Sequence, residues 1–424
     1  MMAYPLISIN HWIALPQKVL SAFNGQGSLP IHELDKAKVQ TPRGHVRPLP
    51  MSSGSVSFTA WRLAHAVKKA DCARWPSSQL LWTGPAGFLL ENAQLFDWNA
   101  ANFCLNEGMS NFNADFSGSS LAGRIAQGMA LLFLEEKGYA YVGRFETEWK
   151  RRAATQSKSW PLGKKKAPDF IAENEEKEWV LAESKGGFAS PESKPNIKGS
   201  LNAGLEQLEG WDRHIIPQPT KSFAIGTFLR ESGDNSEETS LIAYVDPAPE
   251  EPKDPVEFPT DAVRRANYAS WLSLMGFYDA ANRVRIGLGE PQRRSVPMIS
   301  LGGRKYAVSV LSVSPKQPDL SSREFWRGLH DWPFGPFRWF EQGLRVELAG
   351  LDLEVFEALG SVQGSSGTPS LMELKPRERR EALIDSDGGA FYGSVFSDGS
   401  LLGELRQNRM SRPTPDFEWI EVEL

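Results

Sequence analysis

Residues 118–245 constrain the fold most, because their apolar spacing switches between helical and extended periods in a definite order. GSSLAGRIAQGMALLFLEEKG sets Leu121, Ile125, Met129 and Leu132 four, four and three residues apart, the rhythm of one helix face. Ser119 or Ser120 can cap its start and Gly138 can end it. YAYVGRFE (139–146), rich in aromatic and β-branched residues, reads as a strand. A polar, basic stretch follows, and then two short apolar runs at 168–172 and 179–183. LNAGLEQLEGWDRHI (201–215) reads as a second helix, KSFAIGTFL (221–229) as a buried strand, and LIAYV (241–245) as one more. The order helix, strand, strand, strand, helix, strand implies an α/β layer built around one sheet.

On either side the pattern changes. Residues 1–110 mix short apolar runs with Pro, Gly and Ser and form a region of unclear fold, apart from an amphipathic helix over 60–69. Prolines 247, 249, 252, 255 and 259 make 246–260, with its acids, a linker or long surface loop. Beyond it, a helix over 261–283, strands at 304–312 and 391–396, and an Asp398-Gly399 turn signal read as a separate C-terminal α+β domain, 261–424. The central unit is then 111–245.

The 424 residues are enough for two or three domains, and 41% hydrophobic with 23% charged is an ordinary globular composition. With 47 Lys and Arg against 52 Asp and Glu, the net charge of −5 excludes a globally basic coat, so any nucleic-acid contact must be local. Cys72 and Cys104 are the only cysteines, too few for a zinc cluster or a disulfide framework. His11, His32, His45 and His65 stand at no metal-site spacing and read as surface or core histidines. No apolar run is long enough to span a bilayer, and the first fifteen residues lack a basic start and a cleavage site, so a cytoplasmic protein is expected. No phosphate-binding loop G-x-x-x-x-G-K-[ST], G-x-S-x-G elbow or H-E-x-x-H occurs.

The chemistry gathers in APDFIAENEEKEWVLAESKG, residues 167–186. Folded as a β-hairpin with a three-residue turn centred on Glu176, it sets Asp169 directly opposite Glu183. Lys185, two residues beyond Glu183, shares its face. Opposed like charges destabilise a sheet unless something compensates them, and a divalent cation would do so. Hard ions such as Mg²⁺ take a few carboxylates and keep waters or phosphate oxygens. On this reading removal of Asp169 relieves repulsion, and the metal-free protein folds as well without it.

Pro168-Asp169, followed after thirteen residues by Glu183-Ser184-Lys185, resembles the motif of the PD-(D/E)XK nuclease superfamily, the restriction-endonuclease-like fold. This Glu-x-Lys triplet ends an apolar run, Trp179 to Ala182, as a strand of the hairpin would. The resemblance spans roughly residues 118–230. It implies an αβββαβ core and Mg²⁺- or Mn²⁺-dependent hydrolysis of phosphodiester bonds in nucleic acid, more readily DNA. Asp169 and Glu183 would be metal ligands, with the Ser184 backbone carbonyl as a third. Lys185 would position water and stabilise developing charge. A role in prokaryotic defence or restriction follows only by analogy, and a protein partner for the C-terminal domain is a further expectation.

Two glutamines are candidate supporting residues. Gln127 stands on the first helix where many members of that superfamily carry a metal-binding Glu, while Glu135 and Glu136 lie near that helix's end. Gln207 and Trp211, four apart on the second helix, resemble the Gln-x-x-x-Tyr element of the RecB-like branch with Trp for Tyr, and a helix-packing pair is the favoured reading. Arg144, Lys150, Arg151, Arg152, Lys158, Lys164, Lys165 and Lys166 face only Glu146 and Glu148 between 144 and 166, a run that suits phosphate contacts and equally a solvated loop. FWRGLHDWPFGPFRWF (325–340) suits an aromatic core corner, or else base stacking or a protein interface. Asp385-Ser386-Asp387-Gly388 reads as a turn rather than a calcium loop.

Overall fold

The fold is that of a computed structural model, which describes residues 22–74, 84–110, 116–161, 163–164, 166–232, 239–314, 345–362, 368–381, 384–386, 389–407 and 418–424. The aromatic segment 325–340, Lys165, His11 and Asp387-Gly388 lie outside these. Helices and strands mix throughout, as an α/β class requires. Among the described residues, no helix is long and apolar enough to cross a membrane.

Seven strands make the first sheet: β1 (Gln26–Glu33), β2 (Gly54–Thr59), β3 (Tyr141–Arg144), β4 (Phe170–Glu173), β5 (Trp179–Ala189), β6 (Lys221–Arg230) and β7 (Leu241–Val245). Their spatial order is β2-β1-β7-β6-β5-β4-β3. β3, β4 and β5 run as an antiparallel meander, β6 lies parallel to β5, and β7 returns antiparallel beside it. β1 then adds parallel to β7, and β2 closes the row antiparallel to β1. The N-terminal region thus supplies two strands of this same sheet.

The longer helices are α1 (Ala60–Arg74), α2 (Phe116–Glu136), α3 (Phe145–Thr155), α4 (Ile197–Leu208), α5 (Ala262–Leu274) and α6 (Tyr278–Ile286). Strand alternation decides which face each covers. Phe170, Ala172, Val180 and Ala182 share a core with Ile125, Met129 and Phe133 of α2. Ile171 and Leu181 share the other core with Leu201 and Leu205 of α4. α1 lies across α2 at Gly128, where an added Cβ would stand 2.5 Å from a Val67 methyl. α2 stops where Gly138 takes the left-handed conformation, φ +90°.

Four elements differ from the sequence expectations, the first being α2, which starts at Phe116 and so contains Ser119 and Ser120 instead of being capped by either. The strand read over 139–146 ends at Arg144, and α3 occupies what was read as a polar basic stretch. Phe145, Glu148, Trp149, Arg152 and Ala153 form its buried stripe, a helical spacing that the surrounding cations mask in the sequence. The helix read over 201–215 begins earlier and ends at Leu208. The helix read over 261–283 is two, α5 and α6, separated at Gly276 with φ +84°. Within 246–260 the only strand is Val256–Glu257, paired with Ile215–Ile216.

The C-terminal strands β8 (Arg293–Leu301), β9 (Arg304–Ser314), β10 (Arg345–Asp352), β11 (Gly389–Val395), β12 (Ser400–Gln407) and β13 (Glu418–Glu423) form an antiparallel sheet ordered β11-β12-β10-β9-β8-β13, with short strands 380–381 and 384–386 on β11. The β11–β12 turn carries Asp398-Gly399, with Gly399 at φ +85° and the Phe396 N–H donating to Ser400 O at 2.9 Å. This sheet and the first are joined by buried charge. Arg62 of α1 pairs with Glu135 of α2 at 2.6 Å, and Glu135 also accepts from the Ser397 N–H at 2.7 Å. Lys69 of α1 pairs with Asp398 at 2.6 Å, and Arg264 of α5 with Glu173 of β4 at 2.5 Å. Breaking one such pair strands a charge in the interior, and the Lys69–Asp398 pair and the Glu135–Ser397 bond tie the β11–β12 turn to α1 and α2.

Candidate active site

The hairpin of β4 and β5 pairs Phe170 with Ala182 and Glu173 with Trp179. Asn174 and Glu178 close a three-residue turn over 175–177, with the Asn174 N–H donating to Glu178 O at 3.1 Å and Lys177 at φ +66°. In this register Asp169, one residue before β4, stands opposite Glu183. Leu181, Glu183 and Lys185 alternate onto the face that α4 covers. α4 packs closely there at Gly204, where an added Cβ would lie 3.3 Å from Ala224 Cβ and in ordinary contact, 3.7 Å, with Glu183 Cγ.

Each carboxylate is held in the same asymmetric way. Asp169 Oδ2 accepts from the Ser184 backbone N–H at 3.1 Å and the Ser184 hydroxyl at 2.7 Å. Its Oδ1 accepts from Arg144 Nη1 at 2.8 Å and Gln127 Nε2 at 3.3 Å. Glu183 Oε2 accepts from the Asp169 backbone N–H at 3.0 Å, and its Oε1 pairs with Lys185 Nζ at 2.6 Å. Lys185 Nζ also donates to Gln207 Oε1. One oxygen of each carboxylate is therefore pinned by rigid backbone, and the other is faced by a cation on a flexible stem.

Glu183 keeps only 3% of its side chain exposed, against 12% for Asp169, 14% for Arg144 and 24% for Lys185. Burial first, and then the Asp169 charge, push the Glu183 carboxyl up to about 7, against the pull of Lys185 and Arg144. The donor set suits a hard cation: two carboxylate oxygens already facing positive charge, with only oxygen ligands at hand. Among the described residues, no group of three or more His, Cys, Asp or Glu is placed to hold a metal ion. A third protein ligand would have to be a backbone oxygen such as the Ser184 carbonyl.

The structure brings Asp169, Glu183, Lys185, Gln127 and Gln207 together. Glu135 lies elsewhere, engaged with Arg62 and Ser397. Gln207 and Trp211 part company because α4 ends at Leu208. Gln207 turns to Lys185, whereas fully buried Trp211 packs edge-on against Phe145, Trp149 and Trp160 and donates to Lys166 O at 3.0 Å.

The basic run divides. Lys150 is exposed and pairs with Glu146 at 2.5 Å, and Lys166 is exposed. Arg151 pairs with Glu148, and Lys164 donates to Glu209 O. Arg152, expected among the phosphate-contacting cations, is buried on the inner stripe of α3 at 8% exposure, and burial lowers its guanidinium to about 10. A side chain in that position cannot follow a phosphate backbone.

Arg144 and the Ser184 hydroxyl are site groups that the motif did not single out. Arg144 ends β3 opposite Phe170, so only the pairing of β3 with β4 carries it to Asp169. Comparison with protein-family models, curated proteins and solved structures finds no match to this chain.

Proposed function

We propose that the chain is a divalent-metal-dependent nuclease with a restriction-endonuclease-like core, hydrolysing phosphodiester bonds of nucleic acid, DNA more readily than RNA. The observation that carries this reading is the chain of contacts at the end of the β4–β5 hairpin: Lys185 pairs with Glu183, Glu183 accepts from the Asp169 N–H, and the Asp169 carboxylate accepts from Ser184, Arg144 and Gln127. The run α2, β3, β4, β5, α4, β6, with an antiparallel meander followed by a parallel strand, supports it, and α3 is an insertion in that order. Asp169 Oδ1 and Glu183 Oε1 would hold Mg²⁺ or Mn²⁺, and such an ion supplies Lewis-acid polarisation of a phosphoryl oxygen and acidification of a water. Lys185, held between Glu183 and Gln207, keeps an ammonium beside the position of attack and offsets negative charge that grows in the transition state. Of the described lysines of the basic run, Lys166 is exposed, and Lys150, Lys158 and Lys164 would leave Glu146, Asp254 and the Glu209 carbonyl to meet a polyanion.

A second reading has one observation in its favour: α2 brings an amide, Gln127, to Asp169 instead of a third carboxylate. The chain is then a nuclease-like module that binds nucleic acid or a protein partner without cutting. Incubating the purified protein with labelled DNA and RNA in Mg²⁺, Mn²⁺ or EDTA decides between them. Metal-dependent cleavage lost on EDTA supports the nuclease, and binding without cleavage supports the second reading.

A further inference from the structure

With all four groups ionised, the two carboxylates and two cations of the site sum to zero charge, and the two cations are held differently. Lys185 is anchored a second time by Gln207, on the same face as Glu183. Arg144 comes from another strand, its Nη1 reaches Asp169 Oδ1 at 2.8 Å, and its guanidinium lies 5.8 Å from the centroid of the Phe170 ring. The oxygen it holds is the one left after Ser184 has claimed Oδ2. A divalent ion and the guanidinium therefore seek the same lone pairs. A metal that entered with every other group in place would leave the site with two excess positive charges in a mostly buried setting, which only an anionic ligand offsets.

Resting on the nuclease reading, we propose that Arg144 is a built-in competitor of the metal. It holds Asp169 Oδ1 in the metal-free protein and gives that oxygen up when a divalent ion binds, turning to a phosphate of the polyanion. Metal alone then binds weakly, and metal and polyanion strengthen one another reciprocally.

The test is calorimetric titration of the full chain with Mn²⁺ alone, with no substrate and no activity readout. Arg144→Gln, which removes the charge and keeps a polar side chain, is expected to bind Mn²⁺ about tenfold more tightly than the parent. Arg144→Lys keeps the charge and is expected to stay within about threefold of the parent. Circular dichroism establishes that both are folded, and should Arg144→Gln unfold, Arg144→Met takes its place with the same expectation. Unchanged or weaker Mn²⁺ binding in the neutral variants, with binding still lost in Asp169→Asn, overturns the competition but leaves the metal site standing. No Mn²⁺ binding by any variant overturns both the competition and the nuclease reading.

Discussion

Asp169→Ala tests the electrostatics of the site independently of any activity. Opposed carboxylates in a hairpin lead one to expect that removing Asp169 relieves repulsion and leaves folding intact. The contacts point the other way. Asp169 accepts from Arg144, Gln127 and twice from Ser184, and its loss leaves a guanidinium only 14% exposed without its carboxylate. Breaking a buried pair from one side costs about 3–5 kcal/mol, and the lower end applies because water reaches both partners. Relief of Glu183 offsets part of this. Burial is the larger cause of its rise to about 7, and one pKa unit is worth about 1.4 kcal/mol, so the offset is on the order of 1 kcal/mol. The net expectation is a loss of about 2 kcal/mol in metal-free buffer at neutral pH, with Asp169→Asn losing less because it keeps an oxygen for Ser184. Urea unfolding followed by tryptophan fluorescence measures it. A midpoint equal to or above that of the parent would refute the account of Asp169 as a tied counter-ion.

Four further outcomes are expected. Lys185→Met should leave Mn²⁺ binding measurable while single-turnover cleavage falls by orders of magnitude; equal loss of both would make Lys185 a structural group. Neutralising Lys150, Lys164 and Lys166 together should flatten the salt dependence of DNA binding, whereas an unaltered slope would mark the run as a solvated surface. Gly186→Ala should destabilise by about 2 kcal/mol or more, because its Cβ would stand 2.3 Å from the Ala122 carbonyl oxygen; a melting temperature like the parent's would contradict the seating of α2 on β5. His65 is fully buried between Ser394 and Ser400, and burial, then the Lys69 charge, hold its pKa well below 6.5 against the opposing pull of Asp398. The native state then binds fewer protons than the unfolded chain, so its contribution is complete above about pH 6.5 and declines as pH falls, by up to about 1.4 kcal/mol per unit. Chemical denaturation of the parent and His65→Gln between pH 7.5 and 5 should show the shallower slope in the variant.

Local chemistry determined several elements and the opposition of Asp169 to Glu183. The four-, four- and three-residue spacing from Leu121 to Leu132 is sufficient for α2, and the turn residues around Glu176 set the register that carries Asp169 to Glu183. Both are short-range consequences of backbone period, so the sequence alone contained them. What it could not contain is which distant groups arrive. Arg144 reaches Asp169 only because β3 pairs with β4, and Gln127 only because α2 crosses the other face. The basic run read as one unit became a helix with Arg152 inside, since Phe145 and Trp149 had a core to enter. The N-terminal strands joined the sheet through β7, a contact separated by some two hundred residues. Buried pairs such as Lys69 with Asp398 bind the C-terminal sheet to α1. Charge compensation and sheet order act between segments far apart in the chain, so they were decided only when the tertiary structure closed.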